Sequence, residues 1–464
     1  EVQGLADRFR LFLAIIGCHY SINSGTFKVV FSHSALQRIR PGVHVWKLTK
    51  PIVVLCGYEV VKDALVNHGE HFSDRPPLPT SDIFGKGYAS GSQCWRQVRR
   101  FMLSTLRSYG MAKRPWRMKS TIFCSFSLGG AFNPIYLLGF AVYSTISSIM
   151  FGENLDYKDP KLYGLIRVTR NHNQGMNSNL YQICNTFPIL LHLPFVKEKV
   201  IHPAQEMKQI VLQYTQKHRE SIDLNTPRDL LDSWLVKLKE EESHPGSPFN
   251  ETGFIVYISG LLGAATDTTS SSLTFCLLMM AYFPEVQERV QREIDEVVEH
   301  ERFPEMKDRT QLSYTNAVIH ECQRTLDLAP IAHYHAAVED IQFRGFLIPK
   351  GTTIIPFLTS VLSDPAHWKN PEDFDPDNFL DDEGQFKPNP AFLPFSAGPR
   401  SCLGENLARM ELFLIISALL QKFTFRKPAG SKPIDFNYVR NNKITFLVSS
   451  KVYAAPRTVD SRRE

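Results

Sequence analysis

The 464 residues are 43% hydrophobic and 21% charged, the balance of a globular chain with a sizeable core, which excludes a mainly disordered protein. A net charge of +5, from 52 basic and 47 acidic residues, is too dilute to mark a nucleic-acid binder without strong clustering. The length allows two or three domains or one unusually large fold.

Near the start, the apolar run Leu11 to Cys18 is far shorter than the roughly 20 residues a membrane span needs. No small-residue cleavage site accompanies Arg8 and Arg10, so neither an anchor nor a signal peptide is expected. HVWKL and PIVVLC read as short strands, and YEVVKDALVNHG as a helix ending at Gly69. From Trp95 to about Lys239 the apolar spacing is helical, in QVRRFMLSTL, YSTISSIMF and DLLDSWLVKLKEEE. SHPGSPFN breaks the pattern before the long apolar segment Phe254 to Phe283 and the helix LSYTNAVIHECQRTL. IQFRGFLIP and TTIIPF read as strands, LARMELFLIISALLQKF as a helix, and ITFLVSS as a closing strand. The predicted fold class is mainly α with a minor β region, without repeats.

The eight cysteines, at 18, 56, 94, 124, 184, 276, 322 and 402, include no pair at zinc-knuckle or redox spacing. Cys56, Cys124 and Cys276 lie in apolar stretches and read as small buried hydrophobes. Cys402 differs. It follows a loop containing Pro394, Gly398 and Pro399, precedes Gly404, and opens an amphipathic helix. Unpaired N–H groups and the positive end of the helix dipole favour a thiolate there, the form that binds iron. Gly398 and Gly404 leave room for backbone to approach a flat cofactor and donate to the sulfur.

Other spacings carry weaker signals. Glu321 and Arg324 are three apart in HECQRTL and share a helix face, where an ordinary surface pair is worth ~0 to 1 kcal/mol. In GLLGAATDTTSSSL, Gly260, Gly263, Ala264 and Ala265 form a surface of small residues beside Asp267 and Thr268. Asp267 and the Ser and Thr residues around it make a membrane span costly, so a core helix is expected. In CWRQVRRFMLSTLR, Trp95 and Arg99 face one side of a helix while Arg96 and Arg100 share a neighbouring, solvated face.

FSAGPRSCLG matches the signature FxxGxRxCxG, and the chain resembles the cytochrome P-450 family on it, on the ExxR pair, on WRQVR and on the acid–threonine helix. The resemblance implies a single large domain around a buried haem b, with residues 1–25 unassigned and the catalytic domain at 26–464. It implies that Cys402 is the iron ligand, that Phe395, Gly398, Arg400 and Gly404 complete the haem loop, and that Trp95, Arg99, His335 and Arg400 meet the propionates. Asp267 and Thr268 are then the catalytic pair, organising water and supplying protons for O–O cleavage, with the thiolate supplying electronic push. Glu321 and Arg324 lock the core beside a loop that here reads PDNF, with Asn378 where the family carries Arg or His. Gly260, Ala264, Ile331, Ala332 and His333 fall on the substrate side.

From DRPPLP onward the chain looks like family 2, and NTFPILLHLP and FNYVRNNKITFLVSS look closest to its D subfamily. The carboxylates that subfamily uses for basic amines fall here at Gly260 and near Gly175 or Met176, so cationic amines are not expected to be favoured. The implied activity is NADPH- and O2-dependent oxidation of small lipophilic molecules, with NADPH-cytochrome P-450 reductase and cytochrome b5 as partners, at the cytoplasmic face of the endoplasmic reticulum membrane. Arg96 and Arg100 are then available to an acidic redox partner. Against the family pattern the chain lacks the membrane anchor and proline-rich hinge, GKGYASGSQCW is several residues short, and the segment after Met111 is compressed. These departures keep open a haem-binding homologue with impaired turnover. A reductase-independent isomerase of the same fold is disfavoured by the retained acid and threonine.

Overall fold

A computed structural model describes residues 19–21, 28–30, 43–47, 50–80, 93–111 and 130–457, apart from 154, 157, 245 and 299–301. The run Leu11 to Cys18, most of GKGYASGSQCW, the stretch after Met111 and Cys124 lie outside the described residues.

Strands β1 (His19–Ser21) and β2 (Lys28–Val30) pair antiparallel. The two strand signals that follow become a hairpin, β3 (Val43–Lys47) and β4 (Lys50–Leu55), with Val43 opposite Val54. YEVVKDALVNHG forms α1 (Tyr58–Lys62) and then a π-turn at Asp63–Asn67. The helical region comprises α2 (Gln93–Leu106), α3 (Pro134–Phe151), α4 (Pro160–Met176), α5 (Asn179–Thr186), α6 (His202–Ser221) and α7 (Leu230–Glu240). It continues with α8 (Glu251–Tyr282), α9 (Pro284–Val298) and α10 (Ser313–Leu326). Side chains of Asn133, Asp159, Ser178, Asp229 and Asn250 accept from first-turn N–H groups of α3, α4, α5, α7 and α8, so each start is written in a short polar residue.

Strand β5 (His335–Ala336), the hairpin β6 (Ile341–Phe343) and β7 (Phe346–Ile348), and β8 (Thr353–Pro356) follow. The four-stranded sheet has the order β3-β4-β8-β5, with β4 and β8 parallel and His335 opposite Ile354. Helix α11 (Glu405–Lys422) leads into β9 (Phe423–Arg426), which pairs with β10 (Tyr453–Pro456).

Helix α8 is the axis of the molecule. It packs against α3, α4, α6, α10 and α11, and every residue from Thr269 to Ala281 is buried, as its all-round apolar pattern requires. Among the described residues, one helix is long and apolar enough to cross a membrane, Pro134–Phe151, and 61% of it is buried.

The closing strand expected at ITFLVSS is instead a helix, Lys443–Ser449. A strand would bury alternate residues. Here Phe446 and Leu447 are buried side by side while Ile444 and Val448, four apart, are exposed, which is helical periodicity set by packing of Phe446 near Phe275 of α8.

Candidate active site

The loop before α11 folds on its own backbone: Ser401 N–H donates to Gly398 (3.1 Å) and Cys402 N–H to the Phe395 carbonyl (2.9 Å). Gly398 adopts φ +74°, and a Cβ there would overlap the Leu65 carbonyl oxygen. Its glycine is therefore required by the π-turn behind the loop, which corrects the expectation that it spares space for a flat ligand. Gly404, the N-cap of α11, has nothing within 4 Å of where a Cβ would stand and faces open space. The Cys402 side chain is exposed at this opening while protein surrounds it on its other sides. Burial pushes the thiol up, against the backbone N–H groups of Gly404 and Glu405 and the charge of Arg99.

Beside the sulfur lies an arc of cations. Arg99 donates to Ser401 Oγ (3.1 Å), and Arg400 stacks on the Trp95 ring at 3.7 Å while its Nε donates to the Ser73 carbonyl (2.8 Å). Arg75 donates to the carbonyls of His333 (2.8 Å) and Tyr334 (2.7 Å), which fixes the chain entering β5. His335 is buried with Nδ1 2.7 Å from the Phe72 carbonyl. Burial and mutual repulsion push Arg75 down to about 9 and His335 to about 3, and burial pushes Arg400 to about 10. Among the described residues, two buried donors of this arc, Trp95 Nε1 and Arg400 Nη2, have no hydrogen-bond partner. Arg75 escaped the sequence reading; its one local signal is the DRPPLP turn, and its contacts are more than 250 residues away.

On α8, Gly260, Ala264 and Thr268 are exposed at intervals of four, an open stripe within an otherwise buried helix. Thr268 Oγ1 donates to the Ala264 carbonyl (2.7 Å). Asp267 points elsewhere: its Oδ2 accepts from Asn173 Nδ2 (2.6 Å) and its Oδ1 from Tyr143 (3.4 Å). Of the residues expected beside a substrate, Ile331 and His333 are exposed, but Ala332 is buried at the edge of the sheet and presents no side-chain surface.

The fully buried Arg324 and Glu321 form a bidentate pair at 2.6 and 2.7 Å. Arg324 also donates to the carbonyls of Leu362, Pro371 and Asp373, and Glu321 accepts from Asp375 N–H (2.8 Å). The pair is thus a clamp on the 362–375 backbone rather than a surface ion pair. Asn378 does not reach it. Its Oδ1 accepts from Lys369 N–H (3.1 Å), and its buried amide nitrogen has no partner among the described residues, so asparagine ties the loop to itself.

A model of the cytochrome P450 family matches residues 9–449. The chain belongs to the cytochrome P450 family. Similar curated proteins include cytochrome P450 2C3 of Oryctolagus cuniculus, 40% identical over 88% of this chain and 85% of that protein. Cytochrome P450 2C8 of Homo sapiens is 39% identical over 88% of this chain and 85% of its own. Cytochrome P450 2D15 of Canis lupus familiaris is 40% identical over 90% and 84%. Relatives from the C and D subfamilies thus match at the same level, all within family 2. As a cytochrome P450 the chain is an oxidoreductase, a haem-thiolate monooxygenase acting on lipophilic compounds, with haem b as cofactor and electrons from NADPH through a reductase.

The residues present suit that cofactor. Haem b brings two carboxylates, and the arc meets them with buried N–H donors lacking partners and with guanidinium groups whose repulsion two anions would relieve. The open stripe of α8 carries no side chain larger than threonine, which suits a flat ring.

Proposed function

We propose that Cys402 is the thiolate ligand of the iron and that Trp95, Arg99, His335 and Arg400, joined by Arg75, hold the propionates, within one catalytic domain at 26–464. The observation that carries this reading is the exposed thiol beside two buried donors without partners. Bound haem supplies the electron transfer and oxygen activation. The chain supplies the rest. Backbone N–H groups of Gly404 and Glu405 and the charge of Arg99 stabilise the sulfur's negative charge. Phe395 receives Cys402 N–H on its carbonyl, and Gly398 seats the loop on Leu65. Because the Thr268 hydroxyl spends its proton on Ala264, it presents lone pairs toward the open stripe and orients water as an acceptor. Asp267, beside it in sequence, is the source of protons.

Substrates lie along Gly260 and Ala264, opposite Ile331 and His333, with Ala332 as backing. Gly260, Gly175 and Met176 offer no carboxylate, so neutral lipophilic molecules are preferred over cationic amines. The exposed residues Phe187, Ile189, Leu193 and Phe195 after α5, with Ile189 73% accessible, support apposition to the endoplasmic reticulum membrane. Arg96 and Arg100 lie on the exposed face of α2, where a reductase or cytochrome b5 with acidic surface can dock.

The test is the reduced, carbon monoxide-bound spectrum of the haem-loaded protein. A strongly red-shifted Soret band that Cys402→Ser removes is expected, and a haem-loaded parent without it refutes the ligand assignment. NADPH consumption and product formation with reductase, on matched neutral and amine-bearing compounds, then test the substrate preference; a clear preference for the amine overturns it.

A further inference from the structure

Asp267 and Thr268 are neighbours in sequence, but successive side chains on a helix point about 100° apart. Thr268 lies on the open stripe with Gly260 and Ala264. Asp267 shares the adjoining face with Gly263, four residues earlier, and that face packs on α4. There Asn173, in the last turn of α4, donates from Nδ2 both to the Gly263 carbonyl (3.0 Å) and to Asp267 Oδ2 (2.6 Å). Both partners are acceptors, so only the nitrogen end of the amide satisfies them. Tyr143 of α3 closes the other carboxylate oxygen at 3.4 Å; burial and the charge of Asp267 hold it as a phenol, a donor. Arg170, one turn before Asn173, adds positive charge next to Tyr143.

Gly263 shows that this contact is built in. A Cβ at that position would stand 2.6 Å from Asn173 Oδ1. Glycine inside a helix costs about 1 kcal/mol relative to alanine, and here it admits one amide. The chain between α4 and α6 carries the exposed apolar residues Phe187, Ile189, Leu193 and Phe195, so Asn173 sits on the helix leading into that segment.

We propose that Asn173 is a positioning residue for proton supply: it holds the Asp267 carboxylate against α4 and so sets the acid's direction relative to Thr268. This rests on the reading of Asp267 as proton source. The clamp is specific to this pair of helices, because the amide, the glycine and the acid lie on two chain segments 90 or more residues apart.

The experiment compares Asn173→Ala, Gly263→Ala and Asp267→Ala with the parent as haem-loaded proteins with reductase, each first checked for the red-shifted carbon monoxide band. Three quantities are read: the ratio of peroxide released to product formed, the pH profile of turnover, and the urea unfolding midpoint. Asn173→Ala and Gly263→Ala are both expected to change the peroxide-to-product ratio by about tenfold, the scale of one hydrogen bond to a charged group, and to move the pH profile. The unfolding shifts of Asn173→Ala and Asp267→Ala are expected to be non-additive in the double variant, a readout independent of turnover. If Asp267→Ala alters ratio and profile while the other two match the parent, the positioning role is overturned and the acid's role stands. If Asp267→Ala also matches the parent, both fall. Additive unfolding shifts overturn the clamp itself, and Asn173→Ser takes the place of Asn173→Ala should the latter not accumulate as folded protein.

Discussion

Glu411 lies on α11, two turns beyond Cys402, 1% exposed, with its Oε1 unpartnered among the described residues. Burial alone pushes its pKa from the ordinary 4.5 to about 8, so the folded protein keeps a proton there that the unfolded chain releases. An acid raised in this way leaves stability whole below pH 4.5, lets it fall as pH climbs from 4.5 to 8, and has no further effect above. At pH 7, about 2.5 pH units above the ordinary value, the retained proton costs about 3 kcal/mol at about 1.4 kcal/mol per unit. Glu411→Gln keeps the shape and the neutral polar group but removes the titration. Its stability at pH 7 should exceed the parent's by about 3 kcal/mol, with the two nearly equal at pH 4.5. Urea unfolding of the haem-loaded proteins, followed by far-ultraviolet circular dichroism at pH 4.5, 7 and 8.5, reads the difference directly. Parallel pH dependences for parent and variant would show that Glu411 ionises freely in the folded state and would refute the reasoning.

Two further outcomes follow from the geometry. Gly398→Ala combines a left-handed φ with overlap on the Leu65 carbonyl, so about 3 kcal/mol or more of stability should be lost, seen as poor soluble yield and loss of the red-shifted carbon monoxide band. A normal band in a stable variant would contradict it. For His218, burial lowers the pKa but the hydrogen bond and charge of Asp229, with Asp232 nearby, raise it overall. That stabilisation is complete below the unfolded value of 6.5 and is lost as pH rises through the higher folded value. His218→Gln should therefore cost about 2 kcal/mol at pH 6 and clearly less at pH 9 in the same unfolding assay; an equal loss at both would exclude the ion pair.

The parts of the site readable in the sequence are those whose members lie within one or two turns of each other. The cysteine loop, Trp95 with Arg99, Glu321 with Arg324, and the stripe Gly260, Ala264, Thr268 are spacings that a helix or tight loop converts into shared faces. What escaped depends on distant backbone. Arg75 acquires its position from the strand entry at His333 and Tyr334, and the direction of Asp267 is decided by Asn173. The strand pattern in ITFLVSS failed because β-branched residues favour a half-buried pleated surface, and here the helix Lys443–Ser449 packs near α8 instead. Asn378 was placed near the buried pair by its motif, yet its short side chain reaches only the Lys369 amide.

The Leu65 carbonyl lies wedged between two glycines, Gly69 and Gly398, with Pro399 Cδ 2.7 Å from where a Gly69 Cβ would stand. The sulfur-bearing loop is thus seated from behind on the Leu65 main chain, with Arg99 and Arg400 as its side-chain ties. A lineage, or an engineer, can recut the substrate face of α8 and the 331–333 turn over many substitutions without shifting the ground the sulfur stands on. Diversity of substrates and constancy of the reactive centre are in this chain properties of two separate surfaces.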